Sequence, residues 1–270
     1  MIKVLGHYEK GLANNSMLKF SGGELQVTVG PINRDPLKID AHLTSSEDIL
    51  ELMLVVDAIR RQDPHIDIEL LCPYLPYARQ DRVMEPGEAL GAKVMCDIIN
   101  SLKFTAVEVW DVHSDVSLAL LDRVIHRPLT MFVQRVPVDM TNVVLVAPDA
   151  GALKKVLSVA KAYGREMVRA DKLRSTKDGS ITGTKVYSDH VGKKDFLILD
   201  DICDGGRTFI ELAKELRPLT DGKIFLYVTH GIFSNGFEPF SGLIDHIYTA
   251  MPFPNVDLTN PIITKINLEY

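Results

Sequence analysis

Cysteine is scarce in this chain: there are three, at positions 72, 96 and 203, far apart and with no Cys-x-x-Cys pair. That excludes a disulfide framework and a cysteine zinc site, so all three are expected to be buried hydrophobes. No apolar run approaches the ~18 residues that a membrane-spanning helix needs. Residues 1–7 also lack the apolar stretch of a signal peptide. A cytoplasmic protein without membrane contact is therefore expected. No block of Lys and Arg exists, and 30 basic against 36 acidic side chains leave a net charge of −6. Such a balance disfavours a nucleic-acid partner, while small anions can still bind at local basic sites. Low-complexity tracts and Gly/Ser linkers are missing too, so domain boundaries have to be read from the rhythm of the elements.

What is present is an ordinary globular composition, 46% hydrophobic and 24% charged over 270 residues. At roughly 150 residues per domain, that length allows one large or two small domains. Ile49, Leu52, Met53, Val56 and Ile59 recur at helical spacing between residues 44 and 61, with Thr44 and Glu47 placed as a capping box. An apolar run at 66–72 follows, then a polar loop with Pro73, Pro76, Pro86 and Gly87, a helix near 90–102 and a strand at 106–110. The rhythm restarts after Pro137. Strands are expected at 143–147, 165–169, 196–200 and 223–229, and helices at 151–163 and 208–217, the last stopped by Pro218. Strand, helix and strand in alternation predict an α/β protein with mainly parallel sheets, in two similar halves meeting near residues 128–137. The polar stretch 171–184, carrying Lys172 and Arg174, is expected to be a mobile lid.

Three constellations carry chemistry. In 196–208 an apolar strand runs into Asp200 and Asp201, then Asp204, Gly205, Gly206, Arg207 and Thr208 lead into a helix. A glycine turn before a helix start suits a phosphate, and adjacent carboxylates can accept from the hydroxyls of a ribose. The glycines by themselves would more often simply turn the chain. Arg79, Gln80, Asp81 and Arg82 form a charged loop able to meet nucleotide phosphates and base edges, although a solvated loop is the commoner meaning of such a run. His113 and Asp149, each just past a strand, are candidate Mg²⁺ ligands at oxygen-rich strand ends; a lone histidine is more often structural.

Together these segments resemble the ribose-phosphate pyrophosphokinases, the 5-phosphoribosyl 1-diphosphate (PRPP) synthetases, from about Phe20 to Ser234. The segment from Phe20 to Glu24 is similar to that family's adenine-contacting loop, Arg79–Arg82 to its ATP motif, and His113 and Asp149 to its metal and phosphate residues. Lys172 and Arg174 resemble its catalytic Lys-x-Arg pair, and Thr229-His230-Gly231 a strand-end motif. The resemblance implies two phosphoribosyltransferase-like domains, 1–130 and 131–270, with the last residues free to return to the first. It also implies ATP as co-substrate, Mg²⁺, a phosphorylated ribose as acceptor, and a homo-oligomer in which the Phe20 loop serves a neighbour's site. Gly22 and Ala152 depart from the family's aspartate and glycine. Gly205 and Arg207 replace a threonine and a glycine in the family's Asp-Thr-Gly-Gly-Thr loop. With the smaller Gly205 expected to open the pocket and Arg207 to add a cation, the acceptor is either ribose 5-phosphate or a 5-diphosphate form such as ADP-ribose, which would tie the chain to NAD metabolism. The rival readings are a phosphoribosyltransferase that consumes PRPP and a non-catalytic regulatory partner of a synthetase.

Overall fold

The computed structural model describes residues 2–6, 12–13, 15–32, 36–174 and 181–268. They fall into two compact units, Met1–Arg127 and Pro128–Tyr270. Among the described residues no helix is long and apolar enough to cross a membrane.

The first unit contains β1 (Ile2–Gly6), β2 (Leu12–Ala13), β3 (Asn15–Lys19), β4 (Leu25–Val29), β5 (Leu37–Ala41), α1 (Ser46–Gln62), β6 (Ile68–Cys72), α2 (Gly91–Ser101), β7 (Ala106–Trp110), α3 (Asp115–Leu120) and β8 (Val124–Arg127). Its sheet has the order β2-β1-β5-β6-β7-β8, parallel from β5 onward, while β3 and β4 form a separate hairpin. Leu37, Ile39 and Ala41 of β5 and Ile68, Leu70 and Cys72 of β6 are buried at alternate positions, the period of two that a strand imposes. Helix α1 buries Ile49, Leu52, Val55, Val56 and Ile59, whereas Met53 is exposed and Val55 takes the core position expected for it. The capping box sits one residue later than the sequence suggests. Ser45 Oγ accepts from the Asp48 N–H (3.1 Å), and Asp48 Oδ2 accepts from the Ser45 N–H (2.7 Å). Asp48 also accepts from the Thr44 N–H (2.9 Å), which leaves Thr44 outside the helix.

The second unit contains α4 (Leu129–Val133), β9 (Val143–Ala147), α5 (Leu153–Tyr163), β10 (Met167–Arg174), β11 (Ile181–Val186), β12 (Asp195–Cys203), α6 (Arg207–Leu216), β13 (Ile224–Gly231), β14 (His246–Pro252) and β15 (Ile263–Lys265). Its sheet has the order β11-β10-β9-β12-β13-β14-β15, and all pairs are parallel except β10 with β11. β9 and the Phe196–Leu199 stretch of β12 are buried throughout, as central parallel strands covered on both faces must be. Helix α6 packs Phe209, Leu212, Ala213 and Leu216 inward, then tightens into a 3₁₀ turn at Arg217–Leu219, where Pro218 has no N–H to continue the ladder.

Two expectations change here. The strand expected at 165–169 continues to Arg174, and the polar stretch beyond it is no loop on either flank: Asp171 pairs with Lys185 and Lys172 with Thr184 in an antiparallel ribbon. Ladder bonds use backbone groups, so a strand that leaves the core can be polar on both faces. Residues 175–180 of the expected lid lie outside the described residues. β12 is also longer than expected, because β13 keeps pairing with it as far as Cys203 opposite Gly231. Asp201 therefore stands within the strand rather than beyond its end, and Asp200, expected as the last strand residue, lies three residues before that end.

Candidate functional site

From β9 the chain crosses to β10 on one side and later returns to β12 on the other, which makes the β9/β12 boundary a topological switch point. At such a boundary the connections leave in opposite directions, and a crevice opens at the carboxyl ends of the strands. The β12 ladder with β9 stops at Ile198 opposite Val146, five residues before its ladder with β13 ends. The loop after β9 and the acidic part of β12 share that opening.

Asp149 begins the loop. Its Oδ1 accepts from the N–H groups of Gly151 (2.9 Å) and Ala152 (3.1 Å), which fixes the entry into α5. Successive strand residues point to opposite faces, and the acidic pair divides accordingly. Asp201 is buried, with Oδ2 at 2.5 Å from Lys155 Nζ of α5. Asp200 Oδ1 accepts from the Asp201 N–H (2.9 Å). Burial first, then the negative charge of Asp201, with a smaller push from Asp149, hold the Asp200 carboxyl well above the usual carboxylate range. Asp201 is thus a paired carboxylate, and Asp200 is a carboxyl that gains from a hydroxyl donor brought by a ligand. Lys155 escaped the sequence reading, yet a signal existed: Lys154 and Lys155 sit in the first turn of a helix, where the macrodipole disfavours cations unless acidic groups face them.

Beyond Cys203 the turn is built for glycine. Gly206 caps α6 at φ 79°, and a Cβ there would lie 2.4 Å from the buried Phe240 ring. Asp204 is exposed, and its Oδ1 accepts from Ser234 Oγ (2.8 Å). Gly205 does not open a pocket, because Asn235 Nδ2 lies 2.9 Å from where its Cβ would be. Arg207, the first residue of α6, is exposed and has no hydrogen-bond or ion-pair partner among the described residues; Thr208 follows, half-buried. Thr229 and His230 are buried within β13.

In the first unit, Arg79–Arg82 belong to the connection between β6 and α2. Gln80 is folded onto the start of α2: its carbonyl accepts from the Ala92 N–H (3.1 Å), and a Cβ on Gly91 would fall 2.2 Å from its Oε1. Asp81 is held below the usual carboxylate range, chiefly by the Ser114 hydroxyl (2.7 Å) and also by Arg82 (3.2 Å). Ser114 caps α3, so this bond brings the loop beside the exposed His113. Arg79 and Arg82 are exposed. Phe20 and Glu24 close the β3–β4 hairpin, with Phe20 N–H bonded to the Glu24 carbonyl (2.9 Å) and Phe20 47% exposed. That hairpin is fastened to α1 by the Lys19–Glu47 ion pair and by Gln62 Nε2, which donates to the Val29 carbonyl (3.0 Å).

Lys172 and Arg174 lie on β10, and their side chains lie outside the described residues. Of the proposed metal residues, His113 belongs to the first unit and Asp149 to the second. Among the described residues no three His, Cys, Asp or Glu side chains converge on a metal position. That donor set fits Mg²⁺ carried largely by substrate phosphates and water, and does not fit a resident cage. Cys72, Cys96 and Cys203 are buried, and burial pushes the Cys96 thiol up to about 11.

Residues 2–102 match the model of the N-terminal domain of ribose phosphate pyrophosphokinase. The ribose-phosphate pyrophosphokinase of Ureaplasma parvum is 32% identical over 227 residues, covering 80% of this chain and 67% of that protein. Its counterpart from Pyrococcus furiosus is 27% identical over 247 residues, covering 90% and 87%. Among solved structures, the phosphoribosylpyrophosphate synthetase of Mycobacterium smegmatis superposes with a TM-score of 0.78 at 20% identity, covering 95% of this chain and 86% of that one. The architecture is thus α/β with phosphoribosyltransferase-like units.

Proposed function

This chain belongs to the ribose-phosphate pyrophosphokinase family, and from that premise we propose that it transfers the β,γ-diphosphoryl group of ATP to the anomeric 1-hydroxyl of a 5-phosphorylated ribose. The hydroxyl oxygen bonds to the β-phosphorus, the α–β bridge breaks, AMP leaves with the bridging oxygen, and the hydroxyl proton passes to solvent. Such a transfer asks a protein mainly for positioning and charge stabilisation. In this reading Asp200 and Asp201 hold the ribose hydroxyls, Asp201 being oriented by Lys155, and the Asp204–Thr208 turn takes the 5-phosphate. Arg79, Gln80, Asp81, Arg82, His113, Phe20 and Glu24 serve ATP. Lys172 and Arg174 stabilise charge on the moving group. His113 of the first unit and Asp149 of the second are the side chains assigned to Mg²⁺, which when bound would supply charge neutralisation of the triphosphate.

The observation that carries the reading is the placement of the acidic pair and the glycine turn at a switch-point crevice, which is a ligand position on grounds of topology alone. AMP release from ATP, followed with and without ribose 5-phosphate, is the test. AMP that appears only with sugar phosphate and divalent cation supports it. Base-dependent consumption of PRPP with no AMP formed from ATP would support a phosphoribosyltransferase, and a chain that is inactive alone but changes the activity of another synthetase would support a regulatory partner.

The acceptor we put first is ribose 5-phosphate. A 5-diphosphate acceptor such as ADP-ribose is the second reading, and it now rests on Arg207 alone, whose guanidinium, with no partner among the described residues, can meet an additional phosphate bidentately at the start of α6. It predicts a higher kcat/KM for ADP-ribose than for ribose 5-phosphate, narrowed by Arg207→Gly; no turnover of ADP-ribose rejects it. A homo-oligomer and a cytoplasmic setting complete the proposal. Exposed Met17, Leu18 and Phe20 on one hairpin support the first, and three unpaired buried cysteines support the second.

A further inference from the structure

The segment after β13 does more than leave the sheet. Its Ser234 N–H donates to the Asp204 carbonyl (3.2 Å), and the Asn235 carboxamide donates through Nδ2 to the Gly205 carbonyl (3.1 Å). In a trans peptide, C=O and N–H point in opposite directions. With both carbonyls drawn to the 234–235 side, the N–H groups on the same two peptides, those of Gly205 and Gly206, face away from it. Gly206 adopts the left-handed conformation at φ 79°, so successive N–H groups can line a concavity of the kind that cradles a phosphate.

Asn235 also occupies the space that a side chain at position 205 would enter. A Cβ there would come within 2.9 Å of Nδ2, closer than real Cβ contacts allow, so the carboxamide and a residue-205 side chain compete for one space. A side chain reaching 30 residues along the chain thus does what a local one would do in a turn built differently.

We propose that Asn235 is the positioning residue of the phosphate turn: its carboxamide fills the space beside Gly205 and fixes the Gly205 carbonyl, so that the turn's N–H groups face the 5-phosphate of the sugar. The proposal rests on the sugar-phosphate reading given above. Asn235 acts through the turn's backbone, so its loss should weaken binding of the sugar phosphate and leave the chemical step nearly untouched.

The test compares Asn235→Ala, Gly205→Thr and the double variant Gly205→Thr/Asn235→Gly with the unaltered chain, measuring kcat, KM for the sugar phosphate and KM for ATP. Asn235→Ala should raise KM for the sugar phosphate about fivefold to tenfold, the effect of losing one hydrogen bond that orders a binding group. KM for ATP should stay within about twofold and kcat within about threefold. Gly205→Thr should raise the same KM at least as much, and adding Asn235→Gly should bring it back, because the competition for space is then removed. An unchanged KM in Asn235→Ala, a matching rise in KM for ATP, or a double variant no better than Gly205→Thr would overturn the proposal. Calorimetric titration with ribose 5-phosphate separates this from the reaction itself. Binding without turnover that Asn235→Ala weakens upholds the positioning role and rejects the transferase reading, equal affinities reject the role, and no binding by the unaltered chain rejects both.

Discussion

The two units use parallel strands in different ways. In the first, β5, β6, β7 and β8 follow one another across the sheet in chain order, and no switch point arises among them. In the second, the sheet runs from β9 to both sides, so a topological switch point lies where β9 leads to Asp149 and β12 to Asp200 and the glycine turn. The candidate nucleotide residues of the first unit stand instead on a connection folded against the starts of α2 and α3, held by Ala92 and Ser114. One candidate site is made by the sheet, the other by a loop that helix ends hold in place. The difference shows in tolerance to change and in the charge state of the acids.

The largest expected effect sharpens the comparison on the side of chemistry. Lys172→Ala and Arg174→Ala should each lower kcat by about 10²-fold or more while KM for the sugar phosphate changes little, since the proposed mechanism has these cations act on charge that develops during transfer. Single-turnover kinetics that match the unaltered chain would remove them from the mechanism.

Next comes the difference in rigidity. Gly206→Ala places a Cβ against the buried Phe240 ring at a positive φ, and should cost about 2–3 kcal/mol of unfolding free energy. Gly91→Ala, at the first residue of α2, meets the movable end of Gln80, so stability should fall less than in Gly206→Ala while KM for ATP rises. Urea unfolding that ranked the two the other way would break the contrast between a sheet-built and a loop-built site.

The smallest effect is one of sign. Asp200 has its carboxyl raised, so the folded state carries a cost above the ordinary carboxylate pKa, and the cost grows as pH rises toward the folded value. Asp200→Asn should therefore stabilise the chain at neutral pH, with the gain fading in acid. Asp81 is lowered, so it contributes stability above the ordinary carboxylate pKa that is lost as pH falls through its folded value. Asp81→Asn should destabilise at neutral pH and lose its effect in strong acid. Urea midpoints measured against pH without divalent cation check both, and two curves of the same sign would contradict the pairing described.

Much of this was legible in the sequence for physical reasons that also limited the rest. β7 and β9 stand where apolar runs put them, because buried parallel strands leave little choice of residue. The capping box was displaced by one because Thr44 and Ser45 each precede an acidic residue by three, and only the folded chain shows which one Asp48 closes on. The β10–β11 ribbon was hidden because residues 171–185 are mostly polar, and its ladder bonds are made by backbone groups that leave no mark in the sequence. Lys155 and Asn235 were missed for a different reason. Their partners, Asp201 and Gly205, lie 46 and 30 residues away; the cations in the first turn of α5 ask for an acidic partner without naming it, and nothing local announces the contact of Asn235.

Amide chemical shifts of the isotope-labelled chain, followed as ribose 5-phosphate is added without ATP, bear most directly on where the sugar phosphate binds. The signals of residues 149–151, 200–208 and 234–235 should move together along one binding curve, while those of residues 79–82 stay in place. Shifts confined to residues 79–82, with the second unit unmoved, would contradict the assignment of the sugar phosphate to the switch-point crevice.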